Sequence, residues 1–86
     1  MSNIEEVRAG IAEAISKAEE SLGALQQAQG AVEDAQNMLQ QVTEGSSQSD
    51  VDQATAYFSD AVSRIGEVQG VVNQAMQSAE DVANRL

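Results

Sequence analysis

Two long stretches of this chain, on either side of residues 42–51, repeat their apolar residues every seven positions. With the heptad labelled a to g, Ile4 and Val51 each start a register in which the a and d columns are almost wholly apolar. The a positions are Ile4, Ile11, Ala18, Leu25, Val32, Leu39, Val51, Phe58, Ile65, Val72, Ala79 and Leu86, and the d positions are Val7, Ala14, Ser21, Ala28, Ala35, Val42, Ala54, Ala61, Val68, Ala75 and Val82. The exception is Ser21, whose hydroxyl we expect to bond a carbonyl of its own helix. A repeat sustained over this length is typical of packed α-helices.

The two repeats fit one another when the chain is folded back on itself. The numbers of facing a and d residues then sum to 93 in eleven successive layers, from Val42–Val51 to Val7–Leu86. The midpoint falls inside the Gly- and Ser-containing segment, and near it large residues face Ala, as in Leu39–Ala54. The sequence therefore predicts an all-α fold of one domain, residues 1–86. Two antiparallel helices form a helical hairpin, with helix one at about 3–44, a turn at about 45–49 and helix two at about 50–86.

The predicted ends of the helices carry suitable residues. Ser2 with Glu5 fits a capping box, Gly45 fits a left-handed position after helix one, and Ser47 or Ser49 could cap helix two. The alternative is one continuous long helix, which the density of Gly and Ser in residues 45–49 disfavours.

The predicted contact between the helices, the intramolecular seam, consists of large apolar residues at a and d. We expect it to hold Ile11, Leu25, Val32, Leu39, Phe58, Ile65, Val68, Val72 and Val82. Apolar residues also lie beside the seam, at positions e and g. They form a candidate oligomer interface of Ile15, Leu22, Met38, Tyr57, Val62, Val71 and Met76. This width favours a dimer of hairpins, a four-helix bundle; the alternative is a monomer with a wider seam.

Small residues occupy much of the outermost column, at f and beside it. Gly23, Gly30, Gly66 and Gly70 form a candidate lateral small-residue surface for a further helix, because mid-helix Gly otherwise lowers helix stability. The alternative is drift on an unconstrained surface.

Charge and composition disfavour several classes of function. The net charge of −10 disfavours nucleic acid and anionic membranes as partners. The chain has no Cys and no His, and no Asp or Glu lies at a or d, so we expect no catalytic site, metal or cofactor. The acids lie mostly at b and c, where a solvated face is the simplest interpretation. We therefore expect a non-enzymatic structural or interaction protein, a scaffold or adaptor that pairs with itself or with a homologous helical partner.

The chain is short, acidic and free of Cys, and its overall plan resembles the Trp-x-Gly helical hairpins of ESX-like type VII secretion. Its composition is also similar to that of small actinobacterial hairpin proteins. The turn segment Thr43-Glu44-Gly45 keeps the Gly but has no Trp, and Tyr57 is followed by Ala61 where the family's export signal has an acid. The resemblance implies an alternative function, a secreted or secretion-associated hairpin working as a heterodimer. The expected location is cytoplasmic, or outside the cell by export without a conventional signal peptide. A coat on lipid or granule surfaces is disfavoured by charge.

Overall fold

A computed structural model describes residues 3–45 and 48–86 of the chain. It contains two α-helices, α1 (Ile4–Val42) and α2 (Ser49–Arg85), which pack along one another. The prediction of an all-α helical hairpin is confirmed. Within the described residues, neither helix is long and apolar enough to cross a membrane.

The start of α1 is capped by Asn3. Its Oδ1 accepts a hydrogen bond from the backbone N–H of Glu6 at 2.8 Å, which satisfies one of the free donors at the helix start. The predicted capping box names Ser2, which lies outside the described residues. The acids Glu5 and Glu6 occupy the first turn, where they interact favourably with the helix dipole.

The turn begins at Thr43, which caps the end of α1. Its N–H and its Oγ1 both bond the carbonyl of Leu39, at 3.1 Å and 2.6 Å. Two residues later Gly45 has a φ of +85°, the left-handed conformation predicted for it. The N-cap of α2 is Gln48, without a side-chain capping bond, and Ser49 is the first helical residue rather than the cap. Ser47 lies outside the described residues.

The hairpin is a thin rod. Its principal extents are 67 × 16 × 15 Å and its radius of gyration is 19.6 Å, against about 12 Å for a globular domain of this length. Its accessible surface is 6330 Å², whereas a compact monomer of 9.0 kDa exposes about 4,900 Å². A rod of two helices leaves an unusually large share of its surface in water.

Replacing Gly45 by Ala is expected to lower the free energy of unfolding by about 1 kcal/mol, because a Cβ strains the left-handed backbone. The matched control is Gly23→Ala within α1, where an added Cβ meets no atom within 4 Å. This control should raise the free energy of unfolding by up to about 1 kcal/mol. Urea unfolding followed by circular dichroism measures both, and equal effects would contradict the left-handed turn.

Candidate functional site

The two helices face one another through position a, which is flanked by e along almost the whole seam and by d only at small residues. The half-buried d residues are Ser21, Ala35, Ala54 and Ala61. At the a positions, Ile11, Leu25, Val32, Leu39, Phe58, Ile65 and Val72 are half-buried as the seam prediction requires. Val68 and Val82, at d, are 47% and 38% exposed, so they contribute less to the contact between the helices than the a positions do. Four residues predicted for an oligomer interface, Ile15, Leu22, Val62 and Met76, are half-buried within the hairpin at e. They belong to the intramolecular seam, as the wider-seam alternative anticipated for this flank.

The difference between the predicted and the observed seam is a rotation of each helix about its axis. At about 100° per residue, the centre of an a/e stripe lies about 50° from the centre of an a/d stripe. In both helices the contact is shifted from d toward e. This shift leaves the axial register unchanged, and it leaves the larger d residues more exposed than the a/d prediction requires.

Two glutamines that the sequence analysis did not select join the helices. Gln36 Nε2 donates to the carbonyl of Thr55 at 3.2 Å and to Ser59 Oγ at 2.6 Å. One heptad earlier, Gln29 Nε2 donates to the carbonyl of Val62 at 3.2 Å. Both glutamines lie at e and bond the backbone of the opposite helix, so they hold the two helices at one axial level. Their spacing of seven residues, at e in both cases, is the signal that could have identified them.

Rotation of the seam leaves one broad side of the hairpin apolar. In an antiparallel pair that touches through a and e, the d and g positions of both helices fall on the same side; we call them together the open face. Its most exposed large residues are Met38 (65%), Val42 (81%), Tyr57 (68%) and Val71 (63%). Met38, Tyr57 and Val71 are the remaining members of the predicted oligomer interface, and they project from this one face.

Charge is divided between the two broad sides of the hairpin. Every acid except Glu44 and Asp50 lies at b or c, away from the open face, and all acids are exposed. The open face carries Lys17, Arg64, Arg85 and a single acid, Asp50, near the turn. Arg64 forms a salt bridge with Asp60 at 2.9 Å, and Lys17 forms one with Glu20 at 3.3 Å. The apolar side is therefore also the side from which the acids are almost absent.

A groove interrupts the open face in the half of the hairpin far from the turn. It has a volume of about 220 Å³ and is lined by Ala14, Ile15, Ala18, Ala75, Met76 and Ala79. Its cause is a layer structure in which Ala faces Ala, so that neither helix supplies a side chain long enough to fill the space. A wider hollow of about 470 Å³ near the turn is lined by Asn37, Gln40, Gln41 and Glu44, all in one short polar stretch of the chain.

The candidate lateral surface divides into two environments. At Gly66 an added Cβ would lie 3.6 Å from Gln29 Nε2, so this glycine adjoins the seam and is not part of an outer surface. At Gly23, Gly30 and Gly70 an added Cβ would meet nothing within 4 Å. Ser21 behaves as predicted, since its hydroxyl donates to the carbonyl of Ala18 at 2.6 Å.

The described residues contain no group of three or more His, Cys, Asp or Glu that could hold a metal ion. No family model, no curated protein and no solved structure matches the chain. The open face is therefore the candidate functional site, on the strength of its own geometry.

Removal of the Gln36 side chain is expected to lower the free energy of unfolding by about 1 kcal/mol, because its two hydrogen bonds across the seam are lost. The variant is Gln36→Ala, and its matched control is Gln27→Ala at an exposed c position of the same helix. The control should change stability by less than about 0.5 kcal/mol. Equal changes in chemical unfolding would show that the cross-helix bonds contribute nothing.

Proposed function

We propose that this protein is a non-enzymatic structural protein, a helical hairpin that associates with a second copy through its open face to form a four-helix bundle. Such a bundle would serve as a scaffold or adaptor. The observation that carries the proposal is the angle, on each helix, between the a/e stripe that contacts the other helix and the a/d stripe in which the sequence is most apolar.

In a square bundle each helix touches two neighbours, and its most apolar stripe points along the diagonal, about 45° from either contact. Here the contact inside the hairpin is centred on a/e, and the a/d stripe lies about 50° away from it, toward the open face. The sequence pattern therefore has the direction required of a helix with one further neighbour on the d/g side.

The burial of the chain supports the same conclusion. Within residues 3–45 and 48–86 no side chain is fully buried. The hairpin exposes about 1,400 Å² more than a compact protein of its mass, whereas a specific interface of ordinary size covers about 800 Å² on each partner. Large exposed apolar faces of soluble proteins mark interaction sites. A second hairpin on the open face would supply the buried core that two helices alone lack.

Self-association is tested by size-exclusion chromatography with light scattering, where a dimer has twice the mass of 9.0 kDa. Val71→Lys places a charge on the open face and should shift the mass toward the monomer, because the ammonium would be buried in an apolar interface. The substitution also brings the net charge of −10 closer to zero, so general repulsion would not explain a loss of association.

The matched control is Gln74→Lys, at an exposed c position of the same helix, which should remain dimeric. A wild-type chain that is monomeric over the whole accessible concentration range would overturn self-association. If such a chain dimerised only with a different helical protein, the heterodimer interpretation would replace the present one.

A further inference from the structure

Within the described residues, the open face carries one sulfur atom, the thioether of Met38. The chain has no Cys, so its three methionines are its only residues that contain sulfur. Met38 is 65% exposed in the hairpin, whereas Met76 is half-buried beside the alanine groove. Met1 lies outside the described residues. Of the two methionines that the structure describes, Met38 is therefore the one that a dissolved oxidant reaches more easily.

We propose that Met38 is a site of reversible oxidation, and that a peroxide acting on it stops association through the open face. This regulation rests on the proposed function, because the contact that it controls is the one with a second copy. Met38 is open to solvent in the separated hairpin, and a second copy on the open face covers it. Oxidation therefore acts on the separated hairpin and holds it in that state.

The chemical step is the transfer of one oxygen atom to the sulfur. A lone pair of the Met38 sulfur attacks one oxygen of hydrogen peroxide, so that a sulfur–oxygen bond forms and the oxygen–oxygen bond breaks. The departing hydroxide takes the proton of the transferred hydroxyl and leaves as water. The sulfur loses two electrons and the peroxide gains them. Methionine sulfoxide reductases return the product to the thioether, so the step is reversible.

The oxidised side chain no longer suits the surface on which it lies. A thioether is apolar and flexible and fills irregular gaps, whereas the sulfoxide is polar and its oxygen accepts hydrogen bonds. The neighbours of Met38 along the open face of α1 are Ala35 and Val42, whose side chains have no hydrogen-bond donor. A sulfoxide oxygen covered at this place gives up its bonds to water, which costs free energy. The sulfoxide thus favours the separated hairpin.

The position of Met38 confines this effect to the association. Met38 lies at g, outside the columns that join α1 to α2, so its sulfoxide stays in water while the hairpin is separate. Met76 lies at e, within the seam, where a polar group would disturb the contact between the helices. Mild peroxide treatment is therefore expected to modify Met38 before Met76 and to leave the helices intact.

The test is treatment of the full chain with dilute hydrogen peroxide, followed by light scattering over a dilution series. Mass mapping of peptides locates each added oxygen atom, and circular dichroism verifies the helices. Oxidation at Met38 is expected to weaken the dimer roughly tenfold or more, because an apolar group of the interface becomes polar.

Three variants assign the effect to one methionine. Met38→Leu keeps an apolar side chain of similar volume without an oxidisable sulfur, so it should form dimers that peroxide does not weaken. Met38→Gln places a polar group there and should associate weakly before any treatment. Met76→Leu is the matched control, and peroxide should weaken its dimer as it weakens that of the unmodified chain. Equal weakening of the Met38→Leu dimer would overturn the assignment to Met38.

Light scattering before treatment separates the regulation from self-association. A dimer that dissociates on oxidation of Met38 and forms again after treatment with a methionine sulfoxide reductase supports both. A dimer that is equally tight with Met38 oxidised overturns the regulation, while self-association stands. A chain that is monomeric before treatment overturns both.

Discussion

The contact between α1 and α2 is one stripe wide on each helix, and the rest of the molecule depends on this limit. Two parallel cylinders withdraw from water only the sides that face one another. Here those sides are the a and e columns, and even their largest residues, such as Leu39 and Phe58, keep part of their surface in solvent. Burial is the dominant source of folding free energy, so a chain of this kind gains most from a second layer.

The antiparallel hairpin and its axial register could be predicted from the sequence, because both depend on spacing along the chain. Gln36, for example, bonds Thr55 and Ser59, which lie on either side of the level that the eleven-layer register assigns to it. The rotation of each helix could not be predicted in the same way. An a/d stripe gives the average direction of all apolar contacts that a helix makes. In a single hairpin each helix has only one neighbour, so the contact need not be centred on that average direction. Val68 therefore keeps 47% of its surface exposed in the single hairpin, although its column is apolar.

The local details were predictable where one residue has a property that its neighbours lack. Gly45 is such a case, since a glycine adopts the positive φ observed at this position without strain. The helix start was less certain, because Asn3 stands beside another good capping residue, and it is Asn3 that caps α1. The cross-helix glutamines were missed for a related reason. A glutamine at e is usually solvated, and only its repetition after seven residues, at Gln29 and Gln36, distinguishes these two.

The packing of side chains between the two helices differs between the two halves of the hairpin. Near the turn, large residues face alanine across the seam, as Phe58 faces Ala35, and bulky neighbours such as Tyr57 project outward. Far from the turn, alanine faces alanine and leaves a groove. Within one hairpin the second half is simply underpacked, and an underpacked layer lowers stability. A second copy on the open face, as proposed, would cover this underpacked half from its exposed side. The acids at b and c lie away from the open face, so their charges would not oppose the approach of a second copy to that face.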